Sequence, residues 1–141
     1  MIKNEIGACI LRIVLGGIFI IHGLAKFQGG ITETISRFES YNIPYAEVVG
    51  YSVVGVEVIG GFFLIIGFST RFISLLFIAI MIGAIVTVTF EQGFLNGYEY
   101  NIALIGIALY LLLAGSRFLA LDGLFIDKKK TSNKRKNKFR S

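Results

Sequence analysis

His22 and Lys26 stand four residues apart inside "GGIFIIHGLAKF", residues 16–27, a stretch that is otherwise apolar. Residues at i and i+4 share a helix face, so both groups meet the same neighbour. Arg12 lies upstream, about 80° around the axis from His22 at about 100° per residue. A carboxylate occupies the middle of another apolar run: Glu57 in "VVGVEVIGGFF", residues 53–63. Glu99 and Asn101 open a further run, with Tyr98 and Tyr100 beside them, and Thr87, Thr89 and Glu91 close the run before it. Cations and carboxylates in apolar surroundings can polarise the oxygens of a bound ring, stabilise developing negative charge, or relay protons.

The same groups have plainer uses. Lys26, Glu99 and Arg12 could extend their heads to a membrane surface. His22 could serve as a neutral hydrogen-bond partner between helices. Glu57 is too deep for that, and an Arg12–Glu57 pair reads equally as a structural ion pair and as a proton or ligand site.

The elements that position these residues follow from composition. Of 141 residues, 55% are hydrophobic and only 16% charged, where a soluble domain carries about a quarter charged. Four runs reach the length of about 20 residues that a helix needs to cross a bilayer: Ile6 to Phe27, Ala46 to Phe68, Phe72 to Phe90, and Tyr98 to Leu119. They lack the alternation of barrel strands and have no wet face, so the predicted fold is all-α, a polytopic four-helix membrane bundle. The first run has no cleavage signal and reads as a retained helix.

The spans form one domain, residues 1–126. Eight of the fourteen Lys and Arg residues follow Asp127, so residues 127–141 read as a basic, disordered cytoplasmic tail that sets topology or touches anionic lipid. The net charge of +5 therefore describes a tail and gives no reason to expect a nucleic-acid partner. Lys3, Arg71, Arg117 and the tail fall on one side of the membrane. Lys26 and Arg37 fall on the other, among Glu33, Glu39, Glu47, Glu91 and Glu99. The positive-inside rule then puts both termini in the cytoplasm.

Between the first two spans, Ile31, Ile35 and Phe38 mark one face of a short helix lying at the outer membrane surface. Pro44 ends it or begins the next element. Gly16 with Gly23, and Gly60 with Gly67, are spaced to line one face each, which suits close helix packing. Tyr51 and Tyr110 read as packing residues, and Cys9 as inert. Depth arithmetic predicts two polar layers: an outer one of His22, Lys26, Thr87, Glu99 and Asn101, and a deeper one of Arg12 and Glu57.

A single Cys and a single His exclude an intrachain disulfide, a thiolate zinc site and bis-His haem within one chain. "GGITETIS" is not a phosphate loop following a strand, so no metal, haem or nucleotide site is predicted.

Three segments together resemble the DoxX family of small four-helix membrane proteins: "LRIVLGGIFIIHGLAKF" at 11–27, Pro44 followed by "VEVIGGFFLIIGFSTR" at 56–71, and "GYEYNIALIGIAL" at 97–109. "AGSRFLALD" at 114–122 fits the family's close, with Ala120 where many relatives have Ser. The resemblance covers nearly the whole chain up to the tail. It implies a bacterial plasma-membrane protein of a family commonly classed as oxidoreductases. Its name comes from a quinone-reducing enzyme, and members are linked to catechol and quinone tolerance or to thiol-redox partners.

On that footing the redox chemistry runs on a bound quinone or in a partner subunit. His22, Lys26, Glu57 and Glu99 are the catalytic candidates, with Arg12, Asn101 and Thr87 as substrate-binding candidates. Two other functions fit the sequence: a small proton-coupled transporter acting as a dimer, and a non-catalytic membrane scaffold; a homo-oligomer is among the expected partners.

Overall fold

The computed structural model of the protein describes residues 2–115 and Ala120. The predicted tail, the close of span four beyond Gly115 and the 1–126 boundary lie outside the described residues, Ala120 excepted. Five helices carry the fold, and no strand occurs among the described residues. They are α1 (Ile2–Gln28), α2 (Ile31–Ser40), α3 (Ala46–Ile66), α4 (Thr70–Gln92) and α5 (Glu99–Ala114). A turn over Phe94–Tyr98 precedes α5. All but α2 belong to spans long and apolar enough to cross a membrane, so the protein is a multi-pass helical bundle in a lipid bilayer. Helices α3 and α4 begin where the apolar pattern begins or slightly earlier, because flanking polar residues such as Thr70 continue the helix.

The core runs along the bundle axis through Leu15, Phe19, Leu64, Phe77, Ala108 and Leu111. The perimeter is equally apolar: Ile21, Phe62, Val86 and Leu113 are each more than half exposed. Such a surface is stable facing hydrocarbon, not water. Tyr51 and Tyr110 also face outward and pack no core, contrary to the sequence reading.

The predicted glycine faces hold helices together. A Cβ on Gly16 would sit 2.6 Å from the Gly61 carbonyl oxygen, and one on Gly61 would sit 2.7 Å from the Gly16 carbonyl oxygen. Backbone therefore lies on backbone where α1 crosses α3, a contact that any side chain would prevent. Gly60 receives the edge of Phe77 from α4.

Gly67 ends α3 with φ +70°. Its N–H donates to Leu64 and that of Phe68 to Phe63, the paired bonds of a Schellman cap. Asn42 ends α2 in the same way, and Pro44 follows it. Ile31, Ile35 and Phe38 are half-buried, and Ile35 packs at Gly50 of α3, so the predicted short helix is present. The two ends of the bundle are called here the Gly67 end, where α1 begins, and the α2 end.

Candidate functional site

Glu57 is 1% exposed and lies in a π-type turn, Val56–Gly60, within α3. Turns of this kind widen a helix locally and recur at functional sites. α1 comes close here because it offers Gly23: a Cβ on that residue would stand 3.0 Å from the Glu57 Cβ. One turn further along α1, Lys26 Nζ donates to Glu57 Oε1 at 2.5 Å. The side chains are 32% and 2% exposed respectively. Lys26 thus covers a carboxylate that is otherwise enclosed. Glu57 Oε2 is buried and has no hydrogen-bond partner among the described residues. Burying an ionised carboxylate costs several kcal/mol even after relaxation, and the lysine offsets part of this.

This pairing corrects the expected layers. Glu57 pairs with Lys26, not Arg12. The depth arithmetic centred each span on one midplane, but the Gly16–Gly61 crossing sets Gly23 beside Glu57 and brings Lys26 within reach.

His22 stands four residues before Lys26, one turn away. Its Nδ1 lies 2.9 Å from the Ile18 carbonyl oxygen. A carbonyl only accepts, so Nδ1 carries the proton and Nε2 is left as the ring's acceptor. The imidazole lies against the Tyr100 ring of α5, centroids 5.9 Å apart and planes 27° from parallel. Both residues are exposed on the bundle surface. Tyr100 was noted in the sequence only as a neighbour; nothing in the spacing tied it to His22.

The remaining predicted outer-layer residues divide. Asn101 is buried and donates from Nδ2 to Thr89 Oγ1 at 3.2 Å. The Thr89 hydroxyl in turn donates to the Ala84 carbonyl five residues back, at 3.4 Å, inside a second π-type turn, Ile85–Thr89. Glu99 accepts the Asn96 N–H at 3.0 Å and shapes the turn before α5. Thr87 is exposed and donates to the Gly83 carbonyl of its own helix at 2.8 Å. Lys26, Glu57, His22 and Tyr100 therefore form one group, Asn101 and Thr89 another, while Glu99 and Thr87 serve local backbone.

Arg12 is 1% exposed and belongs to the other half of the bundle. Its Nη2 lies 3.6 Å from Cys9 Sγ, and its guanidinium packs at Gly67, where Ala120 also arrives. Thr70 and Ser74, i and i+4 on α4, are buried to 1% and 0%. The sequence reading passed over both hydroxyls, although their spacing inside an apolar span was the available signal.

Among the described residues no three His, Cys, Asp and Glu side chains gather as metal ligands. The Lys26 group offers an ammonium, a buried carboxylate oxygen without a partner among the described residues, and an imidazole nitrogen.

The DoxX family model matches residues 7–90. The chain is also 40% identical over 129 residues to "Putative oxidoreductase CatD" of Bacillus subtilis (strain 168), across 92% of this chain and 94% of that protein. No solved structure matches. With its four spans, its close first crossing and more than half its length matched, the chain belongs to the DoxX family.

Proposed function

We propose that the protein is a quinone- or catechol-linked membrane oxidoreductase, or the membrane subunit of one, working at Lys26 and Glu57. The observation that carries this reading is the buried Glu57 Oε2, without a partner among the described residues, in a carboxylate whose other oxygen is held by Lys26. The oxidoreductase name of the Bacillus relative points the same way. A bound quinone or catechol supplies the coupled gain or loss of electrons and protons, and a redox partner subunit or a second quinone exchanges the electrons.

The chain's own residues bind and move protons. Lys26 meets a ring oxygen and stabilises negative charge on it. Glu57 takes or gives a proton at Oε2. His22, with Nδ1 held by Ile18, offers Nε2 as an acceptor to a ring hydroxyl of the catechol or quinol form, and Tyr100 flanks the imidazole. Quinone or catechol detoxification in a bacterial plasma membrane, both termini cytoplasmic, is the corresponding biological setting.

The test is binding of a short-chain quinone and of catechol to purified protein, followed by absorbance and by co-purifying quinone. Glu57→Gln and His22→Phe should each weaken binding by about tenfold, little more than 1 kcal/mol, while Thr87→Val leaves it unchanged. Equal binding in all four proteins would overturn the proposal. A ligand-free protein that drives proton-coupled flux in vesicles would favour the transporter instead.

A further inference from the structure

Phe19 and Phe77 stack face to face in the bundle core, ring centroids 3.6 Å apart and planes 8° from parallel. They are 2% and 0% exposed. Leu15, Leu64 and Ile73 belong to the same buried apolar cluster.

The stack also fixes a register. Helices α1 and α4 run in the same direction, and Phe19 stands opposite Phe77. Arg12 is seven residues before Phe19 and Lys26 seven after it. Seven residues are close to two turns, so one face of α1 reads cation, ring, cation. Thr70 is seven residues before Phe77 and so falls level with Arg12. On the Gly67 side of the rings lie Arg12, Cys9, Thr70 and Ser74, all buried. On the α2 side lie Lys26, Glu57, His22 and Tyr100.

We infer that the Phe19–Phe77 stack is a septum between two polar compartments, and that Glu57 exchanges protons with the α2 side alone. A proton crosses a membrane protein along a chain of hydrogen-bonding groups or water. Polar side chains lead from the Gly67 end as far as Ser74, whose Oγ is buried without a partner among the described residues. There the path meets two stacked rings and a layer of Leu and Ile, which neither donate nor accept and leave water without partners. On the other side Lys26, one-third exposed, joins Glu57 to the α2 end. The septum is independent of which ligand the Lys26 site takes.

The test uses the full chain in liposomes with a trapped pH dye and a potassium diffusion potential set by valinomycin. Wild-type protein should be as proton-tight as empty vesicles. Phe77→Ala should raise proton entry by about tenfold or more. Adding Glu57→Gln to Phe77→Ala should bring it back toward the wild-type rate. Phe77→Leu keeps much of the bulk but not the ring face, and should leak by a smaller factor; it decides the matter if Phe77→Ala does not fold, as judged by helix content and monodispersity. A proton-tight, folded Phe77→Ala protein, or a proton-tight Phe77→Leu protein when only that one folds, overturns the septum. So does a leaky wild type. A Phe77→Ala leak that Glu57→Gln leaves untouched overturns the isolation of Glu57.

Discussion

The two polar layers along α1 begin alike, each with one long basic side chain, and end differently. Lys26 remains one-third exposed and holds a carboxylate 31 positions further along the chain. Arg12 is enclosed, with a thiol and the Gly67 backbone against it. The anion, not the cation, is the enclosed member of the first layer. A partly exposed cation over an enclosed anion can part from it and return, which suits a site that binds and releases. An enclosed cation clamped at a helix cap suits architecture. Exposure separates the two roles where residue type does not.

The largest expected effect tests that asymmetry. Lys26→Met leaves Glu57 enclosed without its counter-ion and should cost about 3 kcal/mol of stability, at the lower end for a broken buried pair. Glu57→Gln leaves behind a lysine that can turn toward the surface, and should cost about half as much. Lys26→Met with Glu57→Leu should recover most of the loss. Denaturation in detergent, compared across the variants, measures all of these. Equal costs for the two single changes would erase the distinction between the layers.

In the other layer, Gly67→Ala combines a positive φ with a methyl group placed against Arg12 and Ala120. Its expected cost is about 2 kcal/mol. Gly17→Ala, with nothing within 4 Å of the added carbon, should change stability by less than about 0.5 kcal/mol.

The smallest effect belongs to Ser74→Ala. Removing a buried hydroxyl that has no partner among the described residues should be neutral or stabilising by up to about 1 kcal/mol. A clear loss in the same denaturation assay would mean that this hydroxyl is bonded, and that the Gly67 layer is better satisfied than its geometry indicates.

The sequence made the number of spans, the short helix after the first, and the packing role of Gly16, Gly23 and Gly60 readable, because hydropathy and helical spacing are local properties. The azimuth of Lys26 and His22 was equally readable. The pairing was not. A helical wheel places residues around an axis but says nothing of how far one helix slides along another. That offset depends on where two backbones touch, here Gly16 on Gly61, and it set Glu57 against Lys26 rather than Arg12. The local bonds of Thr87 and Glu99 were hidden for a related reason: a polar side chain near a helix end serves its own backbone as readily as a neighbour.

The distance in sequence between Lys26 and Glu57 also has a consequence in time. The chain is made from its N-terminus, so α1 is complete before Glu57 has been added. The first span must then enter the bilayer before Lys26 has met its carboxylate. A basic residue at a helix centre opposes insertion by about 2.5–3.5 kcal/mol, while each Leu, Ile, Phe or Val favours it by about 0.3–0.6 kcal/mol. The apolar residues of 6–27 hold α1 in the membrane, but nothing yet fixes its height there, and a solitary Lys26 draws its end of the helix toward water. Emergence of α3 supplies both the anion and Gly61, and so sets the height of a helix already inserted. Nascent chains ending before Ala46 should accordingly carry α1 displaced toward the α2 side, and chains extending past Ile66 should not, a difference that glycosylation-distance mapping of residues after Gln28 can read.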